Sequence, residues 1–424
     1  MRIATKPSVM NFLNEIATQY PAAISFAAGA PALQFFDRMD HASILSALQC
    51  YERHACTRTS SICTTQRLLQ YGPTGGLIND LIAQQLQVDE GIAVTADRVL
   101  VTSGCQEAIS LCLAALCPTP SDVLLVCNPT YIGATGAARN HRIPIEHIPN
   151  TGSALAAYIE DAAKRLHHRG YNIRALYLIP TFDNPTGYVL DIQEREEILT
   201  LCARLRIVIL EDNPYGMFRF DGVPVPSMAE LDHAGCVIYL SSFSKTLAPS
   251  LRVGAATLPF TLFGSRNARE ELMRELLESK SLLTLNTSQL NQGIAGGILL
   301  QQNMSLRSWV EPARSLYHHN RNTMLNCLDR EFNAMNKQIR WNKPEGGFFI
   351  SMSLPFDFDS DAVTDCALRH GIIVMPMRFF ALDESQNRDI RLSFSSVSPQ
   401  QIQEGIRSLA KYVESRLASE MPPQ

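Results

Sequence analysis

Between residues 98 and 240 six short apolar runs, at 98–102, 122–127, 145–148, 175–179, 207–210 and 237–240, alternate with stretches of helical period. Runs this short, bounded by polar turns, read as buried strands. Strands that alternate with helices pack as a mainly parallel sheet covered on both faces, which is an α/β architecture. This constraint places function before any motif is considered, because ligands of such sheets collect beyond the carboxyl ends of the strands. Ser103, Tyr131, Asn184, Asp212, Tyr215 and Lys245 all fall at those ends.

The last run leads into Ser242-Phe-Ser244-Lys245, and Arg252 follows within the same loop. A lysine just past a buried strand is partly desolvated, which lowers its pKa and frees the neutral amine to attack a carbonyl. Ser242, Ser244 and Arg252 can bind an anion beside it. Taken alone, a Ser-x-Ser-Lys loop is more often a solvated surface. A second anion cup is expected where Ser103-Gly104-Cys105-Gln106 opens the helix that runs to about 117, since unpaired N–H groups and the helix dipole meet there. Tyr71-Gly-Pro-Thr-Gly-Gly76 predicts a turn before a helix at about 77–88. The segment 24–31, broken by Gly29 and Pro31, predicts an arm lying over the site. Residues 51–65 show no convincing period and read as a loop or short helix.

Past residue 254 the pattern turns helical, at 268–281, 287–302 and 306–334. Strands at 347–352, 372–374 and 390–394 then mix with helices at 359–370 and 398–418, predicting a smaller α+β unit. The expected division is an arm and part of the small domain at 1–45, a large domain at 46–310 and a small domain at 311–424. With 37 Lys+Arg against 41 Asp+Glu, the chain has no charge excess that favours nucleic acid or anionic lipid. The longest apolar run, 108–117, is about half a membrane span, and residues 1–21 lack a signal-peptide core, so a cytoplasmic protein is expected. Eleven cysteines without a Cys-x-x-Cys fit a reducing compartment. The pairs His167-His168 and His318-His319 lie in polar helical stretches and read as solvated faces rather than metal ligands.

Four segments occur in a fixed order: Pro180-Thr-Phe-Asp-Asn184-Pro185-Thr186-Gly187, Glu211-Asp212-Asn-Pro-Tyr215-Gly, Ser242-Phe-Ser-Lys245-Thr-Leu-Ala-Pro and Arg391-Leu-Ser-Phe-Ser. Together they resemble the fold-type I pyridoxal-phosphate aminotransferases, in particular the 2-aminoadipate/kynurenine aminotransferase branch, over roughly residues 24–409. The resemblance implies a mainly parallel seven-stranded sheet in a large domain beside a smaller α+β domain. It implies pyridoxal 5′-phosphate, bound covalently by Lys245, which would also carry a proton to and from the substrate Cα. Asp212 would pair with the pyridine nitrogen, Asn184 and Tyr215 with the phenolic oxygen, and Tyr131 would stack on the ring. Ser103, the N–H groups of Gly104, Cys105 and Gln106, Ser242, Ser244 and Arg252 would hold the phosphate. Tyr71 would reach the phosphate of a second subunit, so a homodimer with shared active sites is implied. Arg391 would clamp the substrate α-carboxylate, and Gly29 would let the arm approach the substrate.

The implied reaction moves an amino group from an L-amino acid to a 2-oxo acid by a ping-pong cycle. The alternative is elimination, substitution, decarboxylation or cyclisation of an amino acid with the same cofactor. Related regulators carry an added DNA-binding domain; only about thirty residues precede Gly29, which argues against that role and leaves no nucleic-acid or membrane partner expected. Three departures from the family pattern bear on substrate identity. Asp183 stands where a glutamine or histidine is common and would add negative charge near the carboxylate site. The helix after Gly76 stands about two residues closer than usual and lacks a Leu-Arg pair, and no proline follows Phe35-Phe36.

Overall fold

The computed structural model describes residues 15–58, 64–150, 154–335 and 337–420. A short strand, β1 (Ile24–Ser25), precedes helices α1 (His41–Arg58), α2 (Thr64–Leu68) and α3 (Asn79–Glu90). The chain then alternates: β2 (Val99–Thr102), α4 (Cys105–Leu116), β3 (Asp122–Asn128), α5 (Ile132–Asn140), β4 (Ile145–Pro149), α6 (Leu155–His168), β5 (Asn172–Leu178) and α7 (Ile192–Leu205). It continues through β6 (Val208–Asp212), α8 (Met228–Leu231), β7 (Val237–Ser242) and β8 (Gly254–Thr257).

These strands form one seven-stranded sheet in the order β2-β8-β7-β6-β5-β3-β4. All pairs are parallel except those of β8, which runs antiparallel to β2 and β7. Every residue of β2, β3, β6 and β8 is buried, as a sheet covered on both faces requires. Helix starts are set by side chains: Asp191 and Glu194 form a reciprocal capping box at α7. Glu211, buried in β6, accepts the Met228 and Ala229 N–H groups at 2.9 and 2.8 Å and so pins α8.

Helices α9 (Arg266–Leu283), α10 (Gln289–Gln301) and α11 (Arg307–Phe332) lead to the second sheet. It is built from β9 (Arg340–Trp341), β10 (Phe349–Ser353), β12 (Met375–Pro376) and β13 (Asp389–Ser393), in the order β12-β13-β10-β9. Helix α12 (Ser360–His370) precedes β11 (Ile372–Ile373), which pairs in parallel with β1, and α13 (Pro399–Glu420) follows β13. The arm therefore joins the C-terminal sheet unit through a strand pairing. It is extended by Phe26 N–H to the Ile373 carbonyl and Ser393 N–H to the Phe26 carbonyl, both 2.8 Å.

Two sequence expectations need correction. Residues 51–58 belong to the long helix α1; only Ala47 and Tyr51 of it are tagged buried, so its period is faint, and 59–63 lie outside the described residues. The helix after Gly76 starts at Asn79 rather than 77, because Asn79 Nδ2 donates to the Gly75 and Val99 carbonyls at 2.8 and 2.6 Å and ties the turn to β2. Strand β8, Gly-Ala-Ala-Thr, lacks the large apolar residues by which strands are recognised.

Candidate active site

The carboxyl ends of β2, β6 and β7, the arm and the second sheet enclose a cavity of about 380 Å³. That volume lies in the ~300–1,000 Å³ range of small-molecule sites. Among its lining residues are Gly29, Cys105, Gln106, Tyr131, Asn184, Asp212, Tyr215, Ser242, Ser244, Lys245, Arg252 and Arg391. Twelve of the fifteen residues singled out from the sequence thus meet at one place. Ser103 stands at its edge through Arg252, whose Nη2 donates to the Ser103 carbonyl at 3.2 Å. Gly104 carries φ +84° between them, and a Cβ there would collide with the Arg252 guanidinium. Tyr71 does not reach this cavity: it is 78% exposed on the outer surface.

Lys245 follows the loop after β7, and its Nζ donates to the Gly29 carbonyl at 2.8 Å. Burial, then the nearby charges of Arg391 and Arg252, bring its pKa down to about 8, against the pull of Asp212. A large fraction of the amine is therefore neutral near pH 8. Asp212 ends β6 and is 4% exposed; burial pushes its carboxyl up to about 6, opposed by Tyr177, Cys105 and Lys245. At neutral pH it remains mainly an anion.

The anion cup is narrower than the sequence implies. The Ser103 N–H donates to Glu107 Oε2 at 2.5 Å, and the Gly104 N–H to the Thr102 carbonyl at 2.8 Å. The N–H groups of Cys105 and Gln106 stand in the first turn of α4, where a helix has no acceptor of its own. Across from them Arg252 Nη1 donates to Ser244 Oγ at 3.3 Å, and the Ser244 N–H to Ser242 Oγ at 3.2 Å. Behind the cup Lys280, fully buried, holds Glu107 Oε2 at 2.9 Å and the hydroxyls of Thr284 and Thr287 at 3.2 and 3.1 Å. This ion pair was not foreseen; residues 107 and 280 belong to helices far apart in the chain.

Arg391 lies in the middle strand of the second sheet, opposite Ser351 and Met375. It donates to Asn184 Oδ1 and to the Ala27 carbonyl, both at 2.6 Å, and its guanidinium lies between the Phe349 and Phe380 rings, 4.0 and 4.7 Å from their centroids. Among the described residues no carboxylate pairs with it, and its Nε has no partner. Burial brings its pKa down to about 10, so it stays a cation. A buried cation without an anion is costly and marks a binding site for one. Tyr131 caps α5 and sends its hydroxyl to Gln106 Oε1 at 3.4 Å; Gly133 leaves the room its ring occupies. Tyr215 packs edge-on against Phe349 at 5.7 Å.

Asp183 does not add charge to the cavity. Its Oδ2 accepts from Thr186 Oγ1 at 2.6 Å, the Thr186 N–H at 3.3 Å and Asn150 Nδ2 at 3.4 Å, so it braces the Asn184-Pro185-Thr186 turn. Gly29 has the role of a close approach: a Cβ there would strike the Phe349 ring.

The profile of the family "Aminotransferase class I and II" matches residues 50–409. The chain belongs to that aminotransferase family. It is 37% identical to a (S)-3,5-dihydroxyphenylglycine transaminase of Amycolatopsis orientalis, over 97% of this chain and 93% of that one. It is 32% identical to a 2-aminoadipate transaminase of Thermus thermophilus, over 95% and 92%. Its fold matches the crystal structure of a Pyrococcus horikoshii kynurenine aminotransferase in complex with PMP with a TM-score of 0.83, at 27% identity over 98% of this chain and 96% of that one.

The aminotransferase is an enzyme that uses pyridoxal 5′-phosphate, and the donor set fits that group. One cavity offers a partly neutral amine, an anion cup with a cation, a buried carboxylate and an unpaired guanidinium. Among the described residues no helix is long and apolar enough to cross a membrane.

Proposed function

We propose that this aminotransferase moves the amino group of a neutral, aromatic L-amino acid to a 2-oxo acid, with Lys245 as the reactive amine and Arg391 as the carboxylate clamp. The carrying observation is Arg391: a buried guanidinium without an anionic partner lines the same cavity as Lys245 and Asp212. The cofactor, when bound, supplies an aldehyde for the substrate amine and a ring that accepts the electron pair released at Cα. Lys245, once displaced by that amine, is the group placed to take and return the Cα proton. Asp212 keeps positive charge on the pyridine nitrogen. The Asn184 amide carbonyl is used by Arg391, which leaves its NH2 group to donate, with Tyr215, to the phenolic oxygen. The Cys105 and Gln106 N–H groups, Ser103, Ser242, Ser244 and Arg252 hold the phosphate, Tyr131 covers the ring, and the arm around Gly29 excludes water.

The side-chain class follows from charge. Lys245, Arg252 and Arg391 are the cations lining the cavity among the described residues, and each already has a role. The remaining wall, with Ile109, Ile132, Met375 and Phe380, is apolar. A second carboxylate has no partner there, whereas an aromatic ring does. The relative named for dihydroxyphenylglycine supports this side of the choice over the one named for 2-aminoadipate.

The working unit is a homodimer in the cytoplasm, in which Tyr71 of one subunit reaches the phosphate cup of the other. Exposed Leu69 and Tyr71 flank a turn that packs on Leu277 and Gln289, next to exposed Leu282, Leu283 and Leu285. This is an apolar surface suited to a second copy. The described cysteines are free thiols, as in a reducing compartment.

The test mixes cofactor-loaded protein with phenylglycine-type, phenylalanine-type and 2-aminoadipate substrates and follows the cofactor's absorbance. A stoichiometric 2-oxo acid with conversion to the amino form of the cofactor is expected for the aromatic compounds. Preference for 2-aminoadipate would overturn the side-chain assignment, and continuous turnover without the amino form would favour elimination or decarboxylation. A monomer by sedimentation would overturn the shared site.

A further inference from the structure

Both oxygens of Asp212 are engaged by side chains outside every motif of the sequence. Tyr177 Oη, near the end of β5, donates to Oδ2 at 2.6 Å. Cys105 Sγ, in the first turn of α4, donates to Oδ1 at 3.3 Å. Burial raises the Tyr177 hydroxyl and the Cys105 thiol well above their ordinary values, and the Asp212 charge adds to both shifts. Neither loses its proton in the working range, so each acts toward the carboxylate purely as a donor. Tyr177 is 1% exposed and locked in the sheet, while Cys105 lines the cavity.

These donors oppose a large cost. A carboxylate in this environment is driven toward its neutral form by burial, and the charge of Lys245 offsets that less than the two hydrogen bonds do. The other titratable groups that feel Asp212 are Tyr131 and Tyr215, both phenols raised by burial and uncharged at neutral pH. No charge besides Lys245 therefore substitutes for the two donors.

We infer that Tyr177 and Cys105 are positioning residues for transamination, a two-armed clamp that keeps Asp212 ionised and fixes the plane of its carboxylate. The inference rests on Asp212 as the partner of the pyridine nitrogen. Tyr177 is the stronger arm, because a short O–H···O⁻ bond exceeds a thiol contact. Cys105 is the arm at the cavity wall, where a serine hydroxyl would perform the same task.

The test compares Tyr177→Phe, Cys105→Ala, Cys105→Ser and Asp212→Asn in cofactor-loaded protein. Its readouts are the pH profile of kcat, the pH titration of the cofactor's absorbance, the cofactor dissociation constant and the amino-acid KM. Loss of a donor raises the Asp212 pKa, so the acid limb of kcat moves to higher pH. For Tyr177→Phe the expected shift is about one to two pH units. For Cys105→Ala it is under about one unit, and Cys105→Ser restores the wild-type limb. The absorbance titration moves in parallel, the cofactor is held more weakly below the new limb, and KM stays within about two-fold. Should Tyr177→Phe not fold, the Cys105 pair alone carries the test. If the limb and absorbance stay put in Tyr177→Phe and Cys105→Ala while Asp212→Asn loses activity, the clamp is wrong and the role of Asp212 stands. If Asp212→Asn works like the wild type, the assignment of Asp212 itself falls, and the clamp with it.

Discussion

The cavity has a floor and a roof of different construction. The floor is polar and comes from the carboxyl ends of one sheet: Asp212, Lys245, the α4 start, Ser242, Ser244 and Arg252. Its groups are fixed by side-chain networks such as Tyr177–Asp212 and Lys280–Glu107–Ser103. The roof is mostly apolar and comes from the arm and the second sheet, where Arg391 is held by a backbone carbonyl, Asn184 and two aromatic faces. A donor network with defined partners specifies one polar group, here the cofactor. Ring faces and carbonyls tolerate a range of shapes, which is what a substrate pocket requires. Changes in the floor should therefore act on cofactor binding and kcat, and changes in the roof on KM.

The largest break in that contrast is Lys245→Ala. Loss of the amine removes both the covalent attachment and the Cα proton carrier, and kcat should fall on the order of 10⁴-fold. Borohydride reduction followed by peptide mass should label position 245 in the wild type and nothing in the variant, although the cup still binds the cofactor. Arg391→Ala comes next and belongs to the roof. Charge-assisted hydrogen bonds to a carboxylate are worth ~1.5–3 kcal/mol, so the amino-acid KM should rise roughly 10–100-fold. Cofactor affinity, measured by equilibrium titration, should stay close to the wild type. An equal loss of both would erase the division.

How far the two halves could be read from the sequence follows the same line. Lys245, Asp212, Asn184, Tyr215 and Arg391 lie in short segments whose neighbours reveal them, and the structure brings them to one cavity. The strand series was legible because β3, β5, β6 and β7 are continuous apolar runs. The supports of the floor were not legible. Tyr177 looks like any strand aromatic, and its bond to Asp212 forms only when β5 and β6 pair. Lys280 sits in a charged helix, Arg-Asn-Ala-Arg-Glu-Glu-Leu-Met-Arg, where nothing distinguishes a buried lysine from solvated neighbours. Asp183 misled for a related reason: sequence places a charge near a site but not the direction in which it points, and Thr186 turns this one away.

Lys280→Met tests whether that hidden support serves the floor. Removing one partner of a buried pair leaves Glu107 as an uncompensated anion beside the phosphate cup, at a cost of ~3–5 kcal/mol in stability. The cofactor dissociation constant should rise about ten-fold, with KM unchanged once the protein is saturated. Adding Glu107→Gln to it should recover most of the affinity, since the amide keeps an acceptor for the Ser103 N–H.

The smallest effect asks whether floor and roof are independent. Lys245 reacts with an aldehyde as a neutral amine, and its pKa is brought down to about 8 by burial first and by Arg391 next. The sign follows directly: the neutral fraction rises with pH, so the rate of cofactor uptake by the apoenzyme should increase about five-fold between pH 7 and 8 and level off above. Stopped-flow absorbance measures it. Arg391→Ala removes a like charge, so the midpoint should move to higher pH by a fraction of a unit, while the Lys280→Met midpoint should not move. A fixed midpoint in Arg391→Ala would mean that burial alone tunes the lysine and that the roof does not reach the floor's chemistry.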